Sequence, residues 1–175
     1  MNTAGELALQ VLHERAGAIG TPLEHHSERV YELAVLLAPT ADRELLRVAA
    51  LMHDIGVLEP PGRTAYVTVG AERARDQLES CGWQAERIRS CADAVERHHE
   101  LRRQIGRGVE VEAIRRADLI DLSSGLIRFG VLQADVQAVS TRHPRRGFTV
   151  ALARIVGGLV LHAPRSLPAV FRPPT

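Results

Sequence analysis

The stretch LMHDIGVLEP, residues 51–60, decides how the rest of the chain is read. An apolar run climbs through Ala49, Ala50, Leu51 and Met52 toward what should be the end of a buried helix. His53 and Asp54 stand there side by side. Two polar groups at such a place cost roughly 1–3 kcal/mol each if nothing satisfies them. The question is what compensates them.

Working outward, the periodicity is helical almost throughout. Residues 40–56, TADRELLRVAALMHDIG, start at a Thr/Asp cap region and end at Gly56, a residue type suited to the position just past a helix. Upstream, GELALQVLHERAGAI and PLEHHSERVYELAVLLA place apolar residues three and four apart, with Pro22 suited to a first turn. Downstream, EPPGRTAY reads as a loop. VGAERARDQLESCG and QAERIRSCADAVERHHEL read as helices, the first ending at Gly82. RRQIGRGVEV reads as a loop with two glycines. EVEAIRRADLIDLSSGLIRFG, residues 110–130, reads as one long helix. TVALARIVGGLVLHA is a more apolar helix with a break at Gly157–Gly158. No alternating strand pattern, repeat or linker interrupts this. The expectation is an all-α, single-domain helical bundle over residues 1–163, with its motifs in 22–128 and a Pro-rich tail at 164–175.

Composition narrows the function classes. The 175 residues are 45% hydrophobic but only 3% aromatic, so Leu, Val, Ile and Ala must build the core. The net charge of +1 does not suggest a dedicated nucleic-acid binder. The basic residues are all Arg, and residues 136–175 hold six of them with no acid. That segment reads as a solvated face with helix C-terminal charges, or as an anion- or partner-facing surface. Cys81 and Cys91 have neither metal-ligand spacing nor a disulfide framework, which suits a reducing cytosol. The N-terminus lacks a signal-peptide pattern and no apolar run reaches 18 residues, so a cytoplasmic chain is expected. The apolar C-terminal helix could serve a homodimer as easily as a core.

The histidines and acids then form a pattern. His25 and His26 lie near the start of the second helix, His53 and Asp54 at the end of the third, and His98 and His99 at the end of the fifth. Asp118 and Asp121 lie in the sixth, Asp118 among Ile114, Ala117 and Leu122 at core spacing. Each alone has an ordinary explanation; Asp121, for one, could pair with Arg115, Arg116 or Arg128 on the surface. Together they pose one problem, because a buried carboxylate is not left unpaired. A divalent cation solves it for Asp54 and Asp118 at once. Imidazole nitrogen and carboxylate oxygen suit Zn, Fe, Mn, Co or Ni.

The order His, His-Asp, Asp resembles the HD-domain superfamily of metal-dependent phosphohydrolases. HSERVYELA is similar to the family's first-histidine motif and makes His26, not His25, the first ligand. AALMHDIG matches the His-Asp pair, AVERHHE resembles a later histidine motif centred on His98, and IRRADLID resembles the last aspartate motif. Asp118 is preferred there, with Asp121 one turn on in reserve. The successive spacings are 27, 45 and 20 residues. Family members with two metals usually carry a further His where this chain has Tyr66, which leaves His98 without its usual co-ligand. The resemblance therefore implies one ion, held by His26, His53, Asp54 and Asp118. A narrower resemblance, carried by HSERVYELA, HDIG and YVTVGAERARDQLESCGW, is to small HD proteins related to cyanamide hydratase.

These resemblances imply a small-molecule substrate and two chemistries. In the hydrolase, the ion polarises a phosphoryl oxygen and lowers the pKa of a water, Asp54 orients or deprotonates that water, and His98, near its ordinary pKa, protonates the leaving oxygen. Arg29 and Arg63 could clamp phosphate, with His99 and Asp121 also facing substrate. In the hydratase, no clamp is needed, and a small apolar pocket near Tyr66, Val67 and Val69 would suit a nitrile-type carbon. A third reading is a catalytically silent binding module. Glu100, His13, His143 and His162 are expected to be exposed or structural, and Trp83 to pack at a helix start.

Overall fold

The structure, a computed structural model, describes residues 3–16, 20–59, 65–150 and 153. The described residues are all-helical, without strands. Seven α-helices are defined among them: α1 (Ala4–Ala16), α2 (Gly20–Leu37), α3 (Arg43–Met52), α4 (Tyr66–Ser80), α5 (Ala85–Arg97), α6 (Val109–Leu122) and α7 (Gln133–Arg142). None is long and apolar enough to cross a membrane. The loop carrying Arg63, most of the expected C-terminal helix, His162 and the 164–175 tail lie outside the described residues.

α3 is the centre of the fold. Asp42 caps it as expected, its carboxylate accepting from the backbone N–H groups of Glu44 and Leu45 at 3.1 and 3.0 Å. Seven of its ten residues are buried, from Leu45 and Leu46 through Val48 to Met52. α1, α2, α4, α5 and α6 all pack against it. Small residues permit that crowding: Ala49, Ala50, Ala71, Ala74, Ala92, Ala94 and Ala117 are buried between helices. The low aromatic content is thus matched by close helix approach rather than by large side chains.

Several boundaries differ from the sequence reading. α3 stops at Met52, and a 3₁₀ turn at Ile55–Leu58 follows. Gly56 lies inside that turn rather than past a helix end. α6 stops at Leu122, because Ser124 and Gly125 adopt φ of +53° and +78° and turn the chain away. Leu126 and Ile127, which seemed to prolong the apolar pattern, are exposed. α7 falls in a stretch without helical periodicity in its apolar residues, burying only Val136 and Val139. Gly82, at φ +73°, closes α4 as expected. Trp83 packs against the core beneath the Arg87 guanidinium, 3.5 Å from its ring centroid.

Glu100 corrects an expectation: it is buried, accepting from the Gln104 side-chain amide and pairing with Arg97 at 2.5 Å. Nearby, Glu112 is buried and accepts from Arg115 at 2.8 and 2.9 Å, from Arg116 at 2.7 Å and from the Gln104 backbone N–H at 2.7 Å. Burial pushes its carboxyl up, and these donors pull it down harder, to about 2. A carboxyl lower in the folded chain than in the unfolded one contributes stability above the ordinary pKa and loses it as pH falls toward the folded value. Wild type and Glu112→Gln are therefore expected to differ in urea stability at pH 6 and to converge between about pH 4.5 and 2. Parallel curves over that window would show that Glu112 does not carry the effect.

Candidate metal centre

His53 is the residue just past α3, and His98 the residue just past α5. A helix end leaves its last carbonyls without intrahelical donors. Each histidine satisfies one of them: the His53 Nδ1 donates to the Ala50 carbonyl at 2.7 Å, and the His98 Nδ1 to the Val95 carbonyl at 2.6 Å. The same i−3 contact is used twice, and it fixes the same tautomer twice. With the proton on Nδ1, each ring turns a bare Nε2 inward.

His26 lies in the middle of α2, where no helix-end carbonyl is at hand. Its Nδ1 instead donates to Asp121 Oδ2 at 2.7 Å. A carboxylate only accepts, so Nδ1 carries a proton, and in the neutral ring the His26 Nε2 is likewise bare. It faces the Nε2 of His53 at 3.0 Å. Two lone pairs at that distance repel unless a proton or a cation lies between them.

The carboxylates close around this pair. Asp54 Oδ2 lies 3.6 Å from His26 Nε2 and 3.4 Å from His53 Nε2, and its Oδ1 lies 3.6 Å from His98 Nε2. Asp118 Oδ1 lies 3.4 Å from His26 Nε2 and 4.0 Å from His53 Nε2. These separations are too long for good hydrogen bonds. Asp118 Oδ1 and His98 Nε2 are in fact buried atoms with no hydrogen-bond partner. Buried polar atoms rarely remain so.

One divalent ion accounts for the facing Nε2 atoms of His26 and His53 and for the partnerless Asp118 Oδ1. Two nitrogens each about 2.0–2.1 Å from one ion stand about 3.0–3.4 Å apart, the spacing of the two Nε2 atoms. His26, His53, Asp54 and Asp118 could therefore hold the ion, and His26, His53 and Asp54 offer ligand atoms within 4.8 Å of one another. Without it, a proton must serve. Burial opposes a charged His26, but Asp118 and Asp121 overcome that and raise its pKa to about 10. Burial likewise works against the charges of Asp54 and Asp118; His53 and His98 hold Asp54 well below the carboxylate range, and His26 and His99 do the same for Asp118. Both acids are thus ionised and ready to ligate.

The sequence matches the HD domain family over residues 23–123, more than half of the chain. The chain belongs to the HD domain family. This is a superfamily of metal-dependent, phosphohydrolase-type proteins, and His53 and Asp54 lie within the matched range. No curated protein matches the chain.

The remaining expected site residues divide sharply. His99 is brought in, its Nδ1 3.2 Å from Asp118 Oδ2 and its Nε2 2.5 Å from the Tyr66 hydroxyl. Asp54, His98 and His99 make a second group of three that shares Asp54 with the first. Tyr66 and Val67 are buried with Ala65, and Val57 packs against them; Val69 is half-buried. His98 departs from its expected role as an acid near its ordinary pKa. Burial, aided by the charge of His99, lowers it to about 4, so at neutral pH the ring is uncharged. Arg29 departs further: it is fully buried, with Nε and Nη2 on Asp121 at 2.7 and 3.0 Å, and does not face a substrate. Asp121 itself stands behind His26, not at the surface with Arg115, Arg116 or Arg128; those arginines bind Glu112, Gly125 and Gln133 instead.

Sequence reasoning missed Arg145 and Phe148. Arg145 binds Asp121 Oδ1 at 2.5 Å, and the Phe148 ring stacks on His26 with centroids 4.6 Å apart and planes at 28°. His143 is structural, as expected: its Nε2 pairs with Glu32 at 2.7 Å. His13 is exposed and pairs with Glu24.

Proposed function

We propose that the chain is a metal-dependent hydrolase acting on a small phosphorylated compound through activated water. The observation that carries this reading is the facing pair of imidazole Nε2 atoms 3.0 Å apart beside the partnerless Asp118 Oδ1. His26, His53, Asp54 and Asp118 are the ligands of one Zn, Fe, Mn, Co or Ni ion in this reading. When bound, the ion polarises a substrate oxygen and acidifies water. The chain's own groups supply the rest. Asp54 is the acid of the set with solvent access, its side chain 17% exposed, so it orients the attacking water and takes its proton. His98, uncharged and with its Nδ1 proton held by the Val95 carbonyl, has no proton on Nε2 to donate to the leaving group. His99 has both nitrogens engaged, on Asp118 and Tyr66, which favours one ion over two.

A second reading is hydration of a small nitrile-type carbon. It is favoured by the engagement of the Arg29 and Arg145 guanidiniums with Asp121 rather than as a phosphate clamp, and by the apolar group of Tyr66, Val67 and Val57. The rest of the reading is a single domain through residue 163 with a tail from 164, in a cytoplasmic protein free of membrane and nucleic-acid partners that could form a homodimer. The test is metal content after purification without added metal, followed by a paired screen of phosphomonoesters and nitriles. About one equivalent with phosphate release is the expected result. Nitrile hydration alone selects the second reading, and failure to take up any metal removes both in favour of a silent binding module.

A further inference from the structure

His53 and His98 are oriented by the carbonyls of their own helix ends, but His26 is not. Its orientation is supplied from elsewhere, by Asp121 on α6. Asp118 and Asp121 are three residues apart on α6 and so share a face. They grip His26 from its two nitrogens, Asp118 at Nε2 and Asp121 at Nδ1.

The contacts of Asp121 settle whether it ligates or positions. Oδ1 accepts from Arg29 Nε at 2.7 Å and from Arg145 Nη1 at 2.5 Å. Oδ2 accepts from Arg29 Nη2 at 3.0 Å and from His26 Nδ1 at 2.7 Å. Four donors fill the roughly four acceptor positions of one carboxylate. Asp121 has nothing left to offer an ion.

Arg145 reaches it from a segment beyond the 23–123 family match. That segment is pinned to α2: Arg29 Nη1 donates to the His143 carbonyl at 2.9 Å, and His25 Nδ1 donates to the Pro144 carbonyl at 3.0 Å. Phe148 then lies on the His26 ring with the Arg29 and Arg145 guanidiniums 5.2 and 5.3 Å from its centroid. We propose that Asp121, Arg29 and Arg145 form a positioning unit that fixes the His26 tautomer and ring for metal binding, and that the acid-free segment around residues 143–148 is part of the centre. This rests on the reading of His26 as a ligand. It gives a role to Arg145, one of the six arginines of a segment that composition alone left as a solvated or partner-facing surface.

The test is cobalt(II) titration of the full chain, read by chelator competition and by the visible absorption of bound cobalt. Groups that hold a ligating histidine are typically worth about 10–100-fold in metal affinity. Asp121→Asn is expected to weaken cobalt binding by that amount. Arg145→Gln is expected to weaken it by a smaller factor, roughly threefold to tenfold, with a shifted cobalt spectrum, because Arg29 still holds the carboxylate. Arg145→Lys should recover part of the loss. Arg145 is partly exposed, so its variants give an answer even where Asp121→Asn does not fold. Folded Arg145→Gln with wild-type affinity and spectrum would overturn the proposal while leaving the metal reading intact. Complete loss of cobalt in Asp121→Asn with no effect of Arg145→Gln would also overturn it, by making Asp121 a ligand. Wild type that binds no cobalt would overturn both.

Discussion

Asp54→Ala is expected to reduce bound metal from about one equivalent to under about a tenth, and turnover by about 10³ or more. The size follows from position. Asp54 is the residue common to both ligand groups, with Oδ2 toward His26 and His53 and Oδ1 toward His98. Removing it takes away one ligand and the group placed to accept a proton from water. A loss of several kcal/mol of transition-state stabilisation, about 4, corresponds to about 10³ in rate. The fold should survive. The Asp54 side chain makes no cap bond to the 3₁₀ turn, and the backbone bond from the Val57 N–H to the Asp54 carbonyl at 3.0 Å is kept in alanine, so the substitution removes no helix cap. The measurement pairs metal analysis with a thermal melt of the metal-free protein. Retained metal together with more than a tenth of wild-type turnover would sink the assignment of Asp54 as ligand and base. A collapsed melt would show instead that the acid is there for folding.

The parts of this centre that were legible in sequence share a property: they are polar residues where a helical pattern demands apolar ones. His53 after Leu51 and Met52, and Asp118 between Ala117 and Leu119, break the pattern locally, and the local break is visible. The parts that were not legible depend on partners far along the chain. Arg29 is buried only because Asp121, 92 residues away, neutralises it, and nothing beside Arg29 announces that. Glu112 is the same case with nearer partners: an acid two residues from Glu110 in a first turn looks like an exposed dipole-stabilising charge. Helix interiors followed their periodicity, but ends did not. The 110–130 pattern continued through Leu126 and Ile127, while the backbone had already turned at Ser124. α7 buries only Val136 and Val139, too few apolar residues for a stripe to show. Tyr66 was informative in a way that its aromatic ring alone does not suggest: it pairs with His99, which completes the second group of three with His98 and Asp54.

Gly56 shows the same separation between right residue and wrong reason, and it supports the largest stability prediction. Its value is not a left-handed conformation past a helix. A Cβ built there would lie 2.0 Å from the Tyr66 carbonyl oxygen, 2.8 Å from the Tyr66 carbonyl carbon and 3.0 Å from the Gly70 backbone nitrogen. All three are main-chain atoms, so no side chain can swing aside. The 3₁₀ turn and the first turns of α4 meet backbone to backbone, and that approach brings Asp54 and Tyr66 to the same centre. Gly56→Ala must separate them. Inserting one methyl into a packed core typically costs about 1–3 kcal/mol, and here main chain has to move, so the expected loss is about 3–4 kcal/mol. For a chain of this length that is a fall in melting temperature on the order of 10 °C. Metal affinity should fall with it, because the residues displaced adjoin Asp54. Gly106→Ala is the control: its Cβ would meet nothing within 4 Å and its φ is not left-handed, so stability should stay within about 0.5 kcal/mol of wild type. If Gly56→Ala melts within about 2 °C of wild type, the close approach of the turn and α4 is not what holds this end of the site.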